Sequence, residues 1–397
     1  MAVGIICEYN PFHNGHLYHL EKVKELAKNE EIILVLGGNF LQRGNVSVMD
    51  KYEKTSIALR YGIDLVVELP FIYATQSADV FAEGAIKILN ALKCDRVIFG
   101  TESNDVEKLA SLAKVQLYDN KYGERVKTLL NEGYNFPTAM SLALQSFEGD
   151  KVNTPNDLLA LSYIKEIIRN NYNITPISIK RTNDYHDKNT TGEISSAASI
   201  REKIKKRDRI DTYVPSVVSC NIDYKNYDDN YFKLLKYKIL TEKENIKKYQ
   251  TVDEGIENKI VSSIRNCYSL DDLVNKIKSK RYTYNRISRM LTHILTSFTK
   301  EDAKDRNLSY IRILGFNEKG KKYLNKLKKD TKIPFITNVN KKNIKFLETE
   351  LKTDSIYYLI REKNIDVYSY APIFTNEKKW ECKKLCVKIP IYGNKIF

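Results

Sequence analysis

Apolar positions in the first hundred residues come as short continuous runs rather than alternations. Ala2-Val3-Gly4-Ile5-Ile6-Cys7 is the first; Ile32-Ile33-Leu34-Val35-Leu36, Ile63-Asp64-Leu65-Val66-Val67 and Arg96-Val97-Ile98-Phe99 follow. Short, nearly continuous runs rich in β-branched residues predict parallel strands buried on both faces. Between them lie amphipathic stretches: one carries Leu17, Leu20, Val23 and Leu26 on one face, and others cover 50–61 and 77–92. Strand–helix alternation predicts an α/β fold with right-handed crossovers and a doubly wound parallel sheet. Ligands of such sheets bind beyond the carboxyl ends of the strands, where the turn after Cys7 and Gly100-Thr101 both fall.

From about 109 to 171 the pattern is mostly helical, most clearly over 156–170, and Thr175-Pro176-Ile177-Ser178-Ile179 reads as another strand. A further helix starts near Ser195 or Ser196, either of which can cap it. After Pro215 the texture changes: 228–300 looks all-helical, and 301–397 is Lys-rich with mixed helix and short strands. The expected organisation is a catalytic α/β domain over 1–215, a helical region over 216–300 and a small mixed region over 301–397.

Composition narrows the class. A chain of 397 residues has ample core for two or three domains. No apolar run approaches the ~18 residues of a membrane span, and no basic-then-apolar leader is visible. The six cysteines (Cys7, Cys94, Cys220, Cys267, Cys382, Cys386) are scattered, as free thiols in a reducing cytoplasm are. The net charge of +15 is uneven: residues 1–100 hold 10 Lys/Arg against 12 Asp/Glu, so the other 297 carry +17. A polyanion, with nucleic acid foremost, is the natural partner of that later part. Richness in Lys, Asn, Ile and Tyr is also what an AT-biased genome produces without functional cause.

Candidate chemistry sits in Glu8-Tyr9-Asn10-Pro11-Phe12-His13-Asn14-Gly15-His16, where the first strand runs into a helix. Gly15 allows close backbone approach, and the helix start is expected to offer unpaired N–H groups to a phosphate. His13 and His16 can donate to oxygens gaining charge, which reads as chemistry at the α-phosphate of a nucleotide. The bland alternatives are a surface histidine pair or half a zinc site. Only five histidines exist, with His19 on the next helix and His186 and His293 far off in sequence. A second element, Ile194-Ser195-Ser196 with Arg201 beyond, suits β- and γ-phosphates, although a serine cap followed by Arg is commonplace alone. Gln42-Arg43-Gly44 lies past the second strand on the same edge, where Arg43 is either a substrate contact or a solvated loop residue. Tyr185-His186-Asp187 either touches substrate or packs. For RNA, the best surface is 276–289, in which Lys276, Lys278, Lys280, Arg281, Arg286 and Arg289 interleave with Tyr282 and Tyr284. The basic run 321–332 is better taken as a solvated helical face. No dedicated carboxylate cage for a metal is visible.

These elements resemble the nucleotidyltransferase superfamily with a His-x-Gly-His motif; the Lys-Met-Ser-Lys-Ser element of class I aminoacyl-tRNA synthetases is absent. The series is longer than the two motifs. Gly38-Asn39-Phe40-Leu41-Gln42-Arg43-Gly44, Asp64-Leu65-Val66-Val67-Glu68-Leu69-Pro70, Phe99-Gly100-Thr101-Glu102-Ser103, Asn156-Asp157-Leu158-Leu159-Ala160, Tyr185-His186-Asp187 and Tyr310-Ile311-Arg312-Ile313-Leu314-Gly315-Phe316 occur in order. Across nearly the whole chain this is similar to the bacterial tRNA(Met) cytidine acetate ligase family, most specifically in the first 200 residues. The resemblance implies attack of acetate on ATP, giving acetyl-adenylate and pyrophosphate, then acetyl transfer to N4 of the wobble cytidine of elongator tRNA(Met). It implies His13 and His16 as catalytic residues. Around ATP it implies Cys7, Glu8, Tyr9, Asn10, Pro11, Phe12, Asn14, Gly15, Leu17, Tyr18, His19, Leu20, Gly100, Thr101, Asn156, Arg181, Thr182, Ser195, Ser196 and Arg201. Mg²⁺ is expected to arrive with ATP. Arg43, Lys280, Arg281, Tyr282 and Arg286 are the expected contacts to tRNA or the second substrate. The other readings are a small-molecule adenylyltransferase of the pantetheine-phosphate or nicotinamide-mononucleotide type and a non-catalytic RNA-binding protein.

Overall fold

A computed structural model describes residues 1–148, 152, 154–181, 193–369 and 371–375. Thr182, Tyr185, His186, Asp187, Cys382 and Cys386 lie outside the described residues. The apolar runs form the strands β1 (Ala2–Cys7), β2 (Glu31–Gly37), β3 (Leu65–Leu69) and β4 (Arg96–Thr101), and the later run forms β5 (Thr175–Lys180). All five pair in parallel, in the order β5-β4-β1-β2-β3. Both faces are covered, as the continuous runs require: Ile32, Leu34 and Leu36 enter one core cluster and Ile33 and Val35 the other. The helix Ala78–Ala91 packs on one side, and the helix Asn14–Ala27 on the opposite one. Asp50 caps the helix Lys51–Arg60 by accepting the N–H groups of Tyr52 and Glu53, and Ser196 caps Ala197–Lys206 by accepting that of Ser199.

The sheet does not end with residue 215. The strand β6 (Ile311–Asn317) pairs antiparallel with β3, and both β7 (Phe335–Ile336) and β8 (Ile373–Thr375) pair in parallel with β6. The small mixed C-terminal region thus contributes these strands to the N-terminal sheet. A buried charge network fixes it there. Lys51 Nζ lies 2.6 Å from both Glu68 Oε1 and Asp354 Oδ2, and Arg312 Nε of β6 is 3.5 Å from Glu68 Oε2. The helices Asp228–Thr241, Ile256–Ile264, Leu270–Ile277 and Tyr284–Leu295 are as helical as their pattern. They share one continuous core with β1 and β2, since Leu235, Ile260, Ile287 and Ile294 fall in the same cluster as Val3 and Leu34.

Candidate functional site

The carboxyl ends of β1 and β4 open into a cleft of two joined cavities, about 370 and 410 Å³, which share His13, Gly15, His19, Gly100, Arg181 and Ser196. The outer lobe adds Tyr18, Lys180, Ile194 and Ser195. The inner lobe adds Cys7, Glu8, Tyr9, Asn10, His16, Arg43, Asn156 and Arg201. Elements remote in sequence thus converge on the turn after β1. Arg201 Nη1 donates to Asn10 O at 2.8 Å, joining the late helix to that turn directly.

The turn holds both imidazoles in place. His13 caps the helix Asn14–Ala27 with Nδ1 accepting the Gly15 N–H at 3.1 Å, while His16 Nδ1 accepts the His13 N–H at 3.3 Å. Because each Nδ1 is an acceptor, the neutral rings carry their proton on Nε2, the nitrogen left for a ligand. Burial lowers the pKa of His13 to about 3, helped by the nearby Arg181 and Arg201 charges. Burial, then His13 and Arg181, holds that of His16 well below the usual range. Tyr9 and Phe12 wedge the His16 ring, at centroid distances of 4.9 and 5.9 Å. A Cβ on Gly15 would stand 3.0 Å from His13 Cε1, so glycine gives the ring its place. His19 joins them from the next turn of the helix: its Nε2 is buried without a protein partner, and burial brings its pKa down to about 4.

One expectation fails here. The helix start offers no open backbone N–H groups: Asn14 N donates to Tyr213 O at 3.0 Å, Gly15 N to His13 Nδ1, and His16 N to His13 O at 2.8 Å. Asn14 is a strut, its Nδ2 bonding the carbonyls of Glu193 and Thr212 at 3.1 and 3.0 Å. The cleft therefore presents side chains where bare peptide was expected. Pro11, Phe12, Leu17, Leu20 and Thr101 also stand behind the cleft. Phe12 and Leu20 are fully buried in the core, Leu17 packs against it, and Thr101 Oγ1 accepts the Asn104 N–H. Pro11 is likewise buried in the turn and lines neither lobe.

Charge in the cleft is mostly positive. Lys180, Arg181, Arg201 and Arg43 line it, and Glu8 is its one lining carboxylate among the described residues. Glu8 Oε1 accepts the Gln42 N–H at 2.6 Å, and burial raises its pKa. Two further residues support the cleft. Glu102 accepts from Asn156 Nδ2 and faces Arg181 Nε at 3.7 Å, and Lys54 Nζ donates to the carbonyls of Glu8, Gly37 and Gly38 at 3.0, 2.7 and 2.8 Å. Neither has a local signal, because the partners come from elements remote in sequence. Among the described residues no group of three or more His, Cys, Asp or Glu side chains is arranged to hold a metal ion, and no helix is long and apolar enough to cross a membrane.

The basic stretch at 276–289 is partly internal. Lys280 and Arg281 are exposed. Tyr282, expected as a stacking ring, is only 6% exposed, bonds Asp253 O through its hydroxyl and carries the Arg286 guanidinium 4.3 Å over its ring. The ring left in solvent is Tyr284, which is 43% exposed. Arg43 is carried toward this region by its loop. Gly44 (φ 81°) lies so close to the helix Tyr284–Leu295 that a Cβ would meet Arg289 N at 2.4 Å, and Thr292 Oγ1 donates to Gly44 O at 2.6 Å.

Comparison with known proteins identifies the family. The model of the HIGH Nucleotidyl Transferase family matches residues 1–369. The tRNA(Met) cytidine acetate ligase of Clostridium acetobutylicum is 38% identical over 384 residues, covering 90% of this chain and 95% of the relative. That of Caldicellulosiruptor saccharolyticus is 39% identical over 376 residues, covering 90% and 94%. The crystal structure of Thermotoga maritima TmcAL bound with alpha-thio ATP superposes with a TM-score of 0.84 at 31% identity, over 94% of this chain and 99% of that one. With its histidine turn, serine-capped late helix and sheet all in place, the chain belongs to the HIGH nucleotidyl transferases and, within them, to the tRNA(Met) cytidine acetate ligase family.

Proposed function

We propose that this protein activates acetate with ATP and transfers the acetyl group to N4 of the wobble cytidine in elongator tRNA(Met). The observation that carries the reading is the neutral His13–His16 pair, each ring bound through Nδ1 and left with Nε2–H to donate, in a cleft lined by Arg181 and Arg201. Donors fixed in advance stabilise charge that appears only as acetate oxygen bonds to the α-phosphorus and pyrophosphate departs. Ser195, Ser196 and the unused N–H groups of Arg201 hold the phosphate tail, and Arg181 covers the nucleotide from β5. Mg²⁺ would arrive with the triphosphate and would offset part of its charge.

In the second step N4 of cytidine attacks the acetyl carbon. The C–O bond to phosphate breaks, AMP leaves with the electron pair, and N4 loses a proton. The inner lobe, with Arg43 at its mouth, takes acetate and then the base. Relatives that match along nearly their whole length favour this over a compact small-molecule adenylyltransferase. Incubation with ATP, labelled acetate and total tRNA, followed by nucleoside analysis, tests it. Label in N4-acetylcytidine is expected; AMP transferred to a small phosphate ester instead would replace the reading.

A further inference from the structure

A cavity larger than either lobe borders the cleft without being part of it. A crevice of about 490 Å³ opens on the far side of the Arg43 loop and shares Arg43, Asn45, Ala198 and Arg201 with the inner lobe. It lies between the 43–48 loop with the helix Ala197–Lys206 and the helical region. The helix Tyr284–Leu295 supplies one wall through Tyr284, Asn285, Ser288 and Leu291, where Ser288 lies one turn from each of the other three. The opposite wall holds Tyr227, whose ring is covered by the Arg361 guanidinium at 4.3 Å.

Its charges say what it suits. Lys205 is paired with Asp228 at 2.8 Å and Arg361 with Asp223 at 3.5 Å, so the far walls are close to neutral. Arg43 and Arg201 stand at the junction with the catalytic cleft. An exposed tyrosine ring, an amide and a hydroxyl along the crevice wall, with guanidinium groups where it meets the cleft, match a nucleotide: a neutral base against the ring and its phosphate at that junction. The volume lies within the range of ligand pockets, roughly 300–1,000 Å³.

We infer that this crevice seats the base next to the acetylated cytidine, with Tyr284 stacking on it and Arg43 on the intervening phosphate. The inference rests on the proposed function and adds a reason for the Gly44 contact, which holds Arg43 between the two cavities. A single-stranded loop would thus be gripped at two successive bases, one in each cavity, while outlying lysines hold only phosphates.

The test is a cycle between protein and RNA. Anticodon stem-loops carrying an abasic residue on the 5′ or the 3′ side of the target cytidine are acetylated by wild-type protein and by Tyr284→Ala, with pyrophosphate release from ATP and acetate without RNA measured in parallel. One abasic placement should lower wild-type kcat/KM about tenfold. Tyr284→Ala should lower it about tenfold on intact RNA, lose less than twofold more on the same abasic RNA, and keep pyrophosphate release. Ser288→Leu, which fills the crevice, should likewise lose RNA acetylation alone. Multiplying losses for Tyr284→Ala and the abasic RNA, or indifference of the wild type to both placements, would overturn the crevice assignment. Absence of any N4-acetylcytidine from wild type with intact RNA would instead overturn the function on which it rests.

Discussion

His13 and His16 stack with ring centroids 3.8 Å apart and planes inclined by 28°, each ring pinned by a backbone N–H of the turn they share. Two protonated imidazoles would repel at that distance, and burial already disfavours their charge. The stack is therefore stable as two neutral donors. A mobile pair would have to be organised by each incoming nucleotide; this one is organised by folding.

Replacing His16 removes a donor and the ring that holds the His13 N–H. His16→Ala should lower acetate-dependent pyrophosphate release about 10²–10³-fold. Single-turnover pyrophosphate release measures it, and an unchanged rate would take the ring out of the chemistry.

Burying neutral histidines couples stability to pH. His13, His16, His19 and His293 all have folded pKa values lowered below the usual 6.5, chiefly by burial, to about 3 for His13 and about 4 for His19 and His293. The unfolded chain then binds more protons than the folded one. Their stabilisation is complete above about pH 6.5 and is lost as pH falls toward the folded values, at up to about 1.4 kcal/mol per pH unit for each group. Urea unfolding between pH 7.5 and 4.5 should show a shallower loss for His16→Gln than for wild type; parallel curves would contradict it.

Asp354 reaches Lys51 from a helix that follows the last long strand of the sheet, and both are buried. Asp354→Ala would strand part of the Lys51 charge and free Asn39 Nδ2, which donates to Asp354 Oδ1 at 2.8 Å. Breaking one side of a buried pair costs about 3–5 kcal/mol. Denaturant unfolding should show a loss of that order, whereas a loss under 1 kcal/mol would make the network incidental.

On the outer surface the expectation concerns salt. Reversing Lys280 and Arg281 to Glu should weaken tRNA binding and flatten the slope of log affinity against log salt by about two contacts' worth, because each phosphate contact releases condensed counterion. Pyrophosphate release should persist. Unaltered tRNA affinity would move the RNA surface elsewhere.

What was legible in the sequence was local. The runs that became β1 and β2, the apolar stripe of Leu20 and Val23, and the cap at Ser196 are written within a few residues of one another. The rest depends on distant partners. Nothing near Arg312 announces a strand that pairs with Leu65–Leu69, because its charge is neutralised by Glu68 of that strand. The helix start at Asn14 was readable, but not that Tyr213 O would occupy its backbone N–H. Tyr282 and Tyr284 are alike in sequence; only the fold decides that Arg286 and Asp253 claim the first and leave the second exposed.

The central claim is that the His13–His16 turn grips the triphosphate at its α-phosphorus. A crystal structure of this protein soaked with a non-hydrolysable ATP analogue measures it directly. α-Phosphate oxygens are expected within hydrogen-bond distance of His13 Nε2 or His16 Nε2, with the phosphate tail against Ser196 and Arg201. A nucleotide ordered elsewhere, with that turn untouched, would contradict it.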